Sequence, residues 1–137
     1  MASFFFEFVL IARETRTVTF SMYGADGSTP QVAAATDQVR FKVWQTNDES
    51  PTLDLGDTAT ANGSSAKITD LGVDGSDPAV ATVKFAQGDT ENLAAGVYNA
   101  ELGFIDDSTA DPSDAYTTVA RGRIRVIGSA TGDRGLA

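Results

Sequence analysis

Apolar residues recur at every second position along this chain, in short runs cut by Gly, Asp, Asn and Pro, and no stripe with helical i, i+3, i+4 spacing reaches a useful length. A period of two belongs to strands, whose side chains point alternately to the two faces of a sheet. A first strand is predicted over residues 4–13, with Phe4, Phe6, Phe8 and Leu10 on one face. Its other face carries Phe5, Val9 and Ile11, so both sides are expected to meet protein. Residues 15–23 place Val18, Phe20 and Met22 inward and Thr15, Thr17, Thr19 and Ser21 outward. Val39, Phe41 and Val43 alternate with Arg40, Lys42 and Trp44, and Leu53 and Leu55 form a short strand after them. Asn62-Gly63 has the form of a two-residue hairpin turn, since both residues accept positive φ, and a strand around Ile68 follows. Ala81, Val83 and Phe85 share one face of the next strand, after which Gly88 to Leu93 read as one helical turn capped by Asp89 or Thr90. Tyr98, Ala100, Leu102 and Phe104 face inward on the following strand. The last, over 115–127, alternates Ala120, Gly122, Ile124 and Val126 with Val119, Arg121, Arg123 and Arg125.

Short strands spaced by turns in this way define an all-β sandwich. The 137 residues have room for one such domain, predicted over 1–127, with 128–137 as a flexible tail. Leu93-Ala94-Ala95-Gly96-Val97-Tyr98 has the Leu-x-x-Gly-x-Tyr form of the tyrosine corner of Greek-key sandwiches. In that reading Leu93 plugs the core, Gly96 permits the sharp turn, and the Tyr98 hydroxyl bonds a backbone group upstream. The expected fold is an Ig-like Greek-key β-sandwich of about 7–9 antiparallel strands.

Composition narrows the chemistry. With 42% apolar residues a core is feasible, and no run approaches the roughly 18 apolar residues of a membrane helix. The Phe-rich N-terminus contains Glu7, lacks a basic n-region and is followed by Arg13, Glu14 and Arg16, which fits a strand rather than a signal peptide. The chain has neither Cys nor His. Disulfides, thiolate or imidazole zinc sites, thiol nucleophiles and side chains that ordinarily titrate near neutrality are therefore excluded.

The net charge of −9 is unevenly spread: residues 48–114 hold 14 acids against Lys67 and Lys84, whereas 115–137 hold four Arg against Asp133. An acidic body argues against nucleic-acid binding. Asp70, Asp74 and Asp77, and likewise Asp106, Asp107, Asp111 and Asp114, could offer oxygen ligands to calcium. Neither set matches an EF-hand, and Asp is common in turns. No aromatic surround turns these acids into a glycosidase site, and there is no phosphate-binding loop or nucleophile elbow. Neither an enzyme nor a cofactor is expected. Trp44, Tyr23 and Tyr116 could stack on sugars.

Several segments resemble one family. Thr17-Val-Thr-Phe-Ser-Met-Tyr-Gly-Ala-Asp-Gly, Val39-Arg-Phe-Lys-Val, Ala81-Thr-Val-Lys-Phe, Leu93-Ala-Ala-Gly-Val-Tyr-Asn-Ala-Glu-Leu and Gly122-Arg-Ile-Arg-Val look like the Ig-like domains of tailed-phage virion proteins. Those domains occur in baseplate upper proteins, in N-terminal parts of tail fibres and as head decorations, and the likeness spans roughly residues 15–127. It implies a virion structural protein without catalytic residues. Its partners would be capsid or tail proteins and further copies of itself, in a particle assembled in the host cytoplasm. With no coiled coil, shaft or tip, a decoration (cement) or accessory head or tail subunit is favoured over a fibre. A baseplate or fibre adaptor is the close variant, and a carbohydrate- or surface-binding Ig-like module is the alternative.

Two sequence features fit assembly: the two-faced first strand, with Phe4, Phe5, Phe6 and Phe8, and the row Arg121, Arg123, Arg125. Three like charges on one strand face repel unless acids lie opposite, from the chain itself or from a partner. The plain alternative is a solvated face that discourages edge pairing.

Overall fold

Alternation becomes eight strands in the computed structural model, which describes residues 4–23, 28–45, 50–73, 76–106 and 116–128, and of Phe4 the backbone alone. They are β1 (Phe4–Ile11), β2 (Arg16–Ser21), β3 (Gln38–Gln45), β4 (Leu53–Leu55), β5 (Ser65–Asp70), β6 (Val80–Phe85), β7 (Gly96–Ile105) and β8 (Tyr116–Ile127), with a helical turn α1 (Gln87–Thr90) before β7. One sheet has the order β1-β8-β7-β3-β4 and the other β2-β6-β5. Two sheets linked by crossovers between them, with a tyrosine corner at the start of β7, make an Ig-like Greek-key sandwich. One pairing departs from the antiparallel expectation. β1 runs parallel to β8, from Phe4 beside Ala120 to Ile11 beside Ile127. Parallel strands cannot share a hairpin, and here the two are more than a hundred residues apart in sequence, so none is needed.

The inward positions of both sheets meet in an aromatic centre. Phe41 and Phe85 are fully buried and cross at 5.6 Å edge to face, and Phe6 and Phe20 cross the same way at 5.1 Å. Phe8 stacks on Phe6 at 5.7 Å, and Leu10, Met22, Leu55, Leu102 and Ile124 extend the core around them. Phe6, Phe8 and Leu10 of β1 are thus part of this chain's own core. That requires close approach to β8. A Cβ at Gly122 would lie 2.0 Å from the Phe6 carbonyl oxygen, so only glycine lets the two strands meet here.

The tyrosine corner has the expected geometry. Tyr98 is 3% exposed and its hydroxyl donates to the Ala94 carbonyl at 2.7 Å, four residues upstream. Leu93 is buried beside it, and Gly96 takes φ 150°, a backbone conformation that residues with a Cβ rarely adopt. Tyr98→Phe leaves the ring in place but strands the Ala94 carbonyl. The expected loss is about 1–3 kcal/mol of stability in denaturant titration, with binding unchanged. An unaltered midpoint would mean that water satisfies Ala94 without cost.

Two local expectations are corrected. Asn62-Gly63 is a turn, with Gly63 at φ 99° and its N–H donating to the Thr60 carbonyl at 2.9 Å. It closes no hairpin, because β4 pairs with β3 and β5 with β6, so the turn lies on a passage between sheets. The helical turn begins at Gln87 after Ala86, with no side-chain cap, so neither Asp89 nor Thr90 is its N-cap. Those side chains serve tertiary contacts instead. The Asp89 carboxylate accepts from the Thr60 hydroxyl at 2.7 Å and from Asn62 Nδ2 at 3.2 Å, while Thr90 donates to the Glu14 carbonyl at 3.0 Å. Burial pushes the Asp89 pKa up, but hydrogen bonds from Ser64, Thr60 and Asn62 outweigh it and hold the carboxyl below its ordinary value.

Candidate functional site

The outward positions of the five-stranded sheet form three transverse rows. The first runs Phe5, Arg121, Glu101, Lys42, Asp54, so past Phe5 the charges alternate in sign. The second runs Glu7, Arg123, Asn99, Trp44. The third sets Arg125 between Val9 and Val97. Acids of the chain itself thus flank Arg121 and Arg123. Among the described residues neither guanidinium comes within ion-pair distance of a carboxylate, and an exposed pair at longer range contributes well under about 1 kcal/mol. Arg125 has apolar neighbours on both sides instead of an acid.

Three apolar side chains are left in water around these cations: Phe5 is 60% exposed, Val97 54% and Val9 37%. One shallow groove is lined by Phe5, Trp44, Asn99, Glu101, Arg121 and Arg123, and a second by Glu7, Val9, Val97, Arg123 and Arg125. Of the four N-terminal phenylalanines expected at an interface, Phe5 alone is shown to point outward. Phe6 and Phe8 are turned into the core by the strand's own period, and the side chain of Phe4 lies outside the described part. Val97, Glu7 and Glu101 were missed as members of this face. Val97 follows the corner glycine, and only the pairing of β7 with β8 reveals that it flanks Arg125.

The other candidates are dispersed. Tyr116 lies over Gly103, its hydroxyl donates to Glu101 Oε2, and Lys42 Nζ sits 5.1 Å from its ring centroid. Burial first, and then the Glu101 carboxylate, push the Tyr116 pKa well above its ordinary value. Tyr23 bridges to Pro30, while Trp44 lines the groove that holds Phe5 and Arg121.

Several acids have structural partners. Asp70 Oδ1 accepts from the Gly72 N–H at 2.9 Å, Asp37 Oδ2 from the Ala34 N–H at 2.8 Å, and Asp54 Oδ1 pairs with the Arg40 guanidinium at 2.8 Å. No group of three or more acids that could hold a metal is present among the described residues, while Asp74, Asp107, Asp111 and Asp114 lie outside them, as do 129–137 of the expected tail. No helix among the described residues is long and apolar enough to cross a membrane. Compared with known proteins, the chain matches no family model and no curated protein.

Proposed function

We propose that this protein is a structural subunit of a tailed-phage virion, a capsid decoration (cement) or accessory head or tail subunit that stabilises the particle by protein contacts. One observation carries the reading of a contact protein: exposed Phe5, Val9 and Val97 surround Arg123 and Arg125 on a chain whose net charge is −9. Apolar side chains around desolvatable arginines are the composition of a protein interface core. An acidic neighbour would complete the charge pattern that the chain leaves open at Arg125. The placement in a virion is supported by the resemblance of its strand and corner segments to phage Ig-like domains. A baseplate or fibre adaptor would use the same face. Partners under this reading are capsid or tail proteins and further copies of the chain, with no nucleic acid, membrane or cofactor involved.

The test is reconstitution on particles assembled without the protein. Wild type should co-sediment with them and raise their resistance to heat. Arg125→Glu should weaken binding by about tenfold or more while leaving the melting temperature unchanged. Co-sedimentation unaffected by that reversal would remove the face from the account, and no co-sedimentation of wild type would remove the virion reading.

A further inference from the structure

β1 is an open edge of a kind that sandwiches normally protect. The described strands form four sheet edges: β1, β4, β2 and β5. β4 is three residues long, β5 carries Lys67 and a register break between Ile68 and Asp70, and β2 shows Arg16, Thr17, Thr19 and Ser21. Short length, bulges and charge each discourage strand addition. β1 is neither short nor bulged: it is eight residues in unbroken register, and its one charge, Glu7, lies beside Arg123 of β8.

The pattern of its hydrogen bonds says which groups are open. Alternate residues of a strand direct both N–H and C=O to the same side. The Ala12 N–H donates to Ile127 at 2.9 Å, so even positions face β8. The Val9 carbonyl points the other way and accepts from Arg16 Nη1 at 2.8 Å, so odd positions face the open edge. Arg16 closes that edge at Val9. Among the described residues the free stretch is Phe5 to Glu7, centred on Phe6.

We propose that this stretch pairs antiparallel with the same stretch of a second copy, about a two-fold axis at Phe6, joining two five-stranded sheets into one. In this register Phe5 of each copy lies opposite Glu7 of the other. Each such pair exchanges two backbone hydrogen bonds, because both residues direct N–H and C=O outward. The charges accept it: Glu7 meets Phe5 rather than another Glu7, and its own Arg123 stays beside it. A register centred on Glu7 would oppose two carboxylates and require the Val9 carbonyl that Arg16 already holds. The contact is isologous, as two-fold dimers require. It rests on the edge alone and does not depend on the virion reading.

Sedimentation velocity of the full chain over a concentration series, with amide exchange in parallel, tests the pairing. A reversible monomer–dimer equilibrium is expected, with the Phe5 and Glu7 amides becoming protected as concentration rises and the β5 amides unaffected. Glu7→Pro removes an outward donor without touching the β1–β8 ladder, since proline is tolerated where the N–H faces away from the neighbouring strand. It should raise the dimer dissociation constant by about tenfold or more at unchanged melting temperature. Phe5→Glu, which sets a second carboxylate opposite Glu7 of the other copy, should do the same and serves if the proline variant folds poorly. A chain that stays monomeric at every concentration, or a dimer that survives both substitutions, overturns the proposal.

Discussion

Gly122→Val should release the first strand from the sheet. The Cβ it introduces would fall 2.0 Å from the Phe6 carbonyl oxygen and 2.6 Å from the Phe6 ring. The first obstacle is backbone and cannot rotate away, so β1 must move. If it does, Phe6 and Leu10 lose their places in the core, and at roughly 1.5–3 kcal/mol for each large apolar side chain the loss is about 3–6 kcal/mol. Domains of this size are typically stable by only about 5–15 kcal/mol, so the variant should be close to unfolding. Urea titration would show the lowered midpoint, and loss of amide protection from Phe6 to Leu10 would show that β1 is the part that leaves. Wild-type stability in Gly122→Val would mean that β1 and β8 are not paired as described.

Phe41→Ala is the second large effect, acting from the centre of the core. The ring has no exposed surface and lies within 5.8 Å, centroid to centroid, of Phe6, Phe20 and Phe85. These rings come from three other strands in both sheets, so no single neighbour can collapse into the space. The expected cost is about 3–5 kcal/mol. Phe5→Ala provides the contrast, because its ring is 60% exposed and should change stability by about 0.5 kcal/mol or less. Denaturation of the two variants side by side tests whether the core and outward assignments are right. Equal effects would show that the β1 side chains are assigned to the wrong faces.

The strands were legible because period-two alternation is local, and so was the corner, where Leu93, Gly96 and Tyr98 lie within six residues. Pairing over long separations was not. Nothing in Phe4 to Ile11 says that its neighbour is β8, more than a hundred residues on, nor that the two run parallel. Asn62-Gly63 reports a glycine at positive φ, which any tight turn can use, and is silent on which strands it joins. Asp89 looked like a cap because Asp commonly stands before a helical turn, but this turn begins two residues earlier, and Thr60 and Asn62 reach the Asp89 carboxylate across the fold. The candidate face was half visible. Its Arg row follows from alternation in one strand, whereas the flanking Glu7, Glu101, Val9 and Val97 come from strands that only the sheet order sets beside it.

The claim that β1 and β8 together form the contact face is tested most directly by a density map of particles that carry the protein. Phe5, Val9, Val97 and Arg125 should be covered by a neighbouring subunit, and the β2-β6-β5 sheet should face solvent. A map with that three-stranded sheet against the particle and the Arg row in water would contradict it.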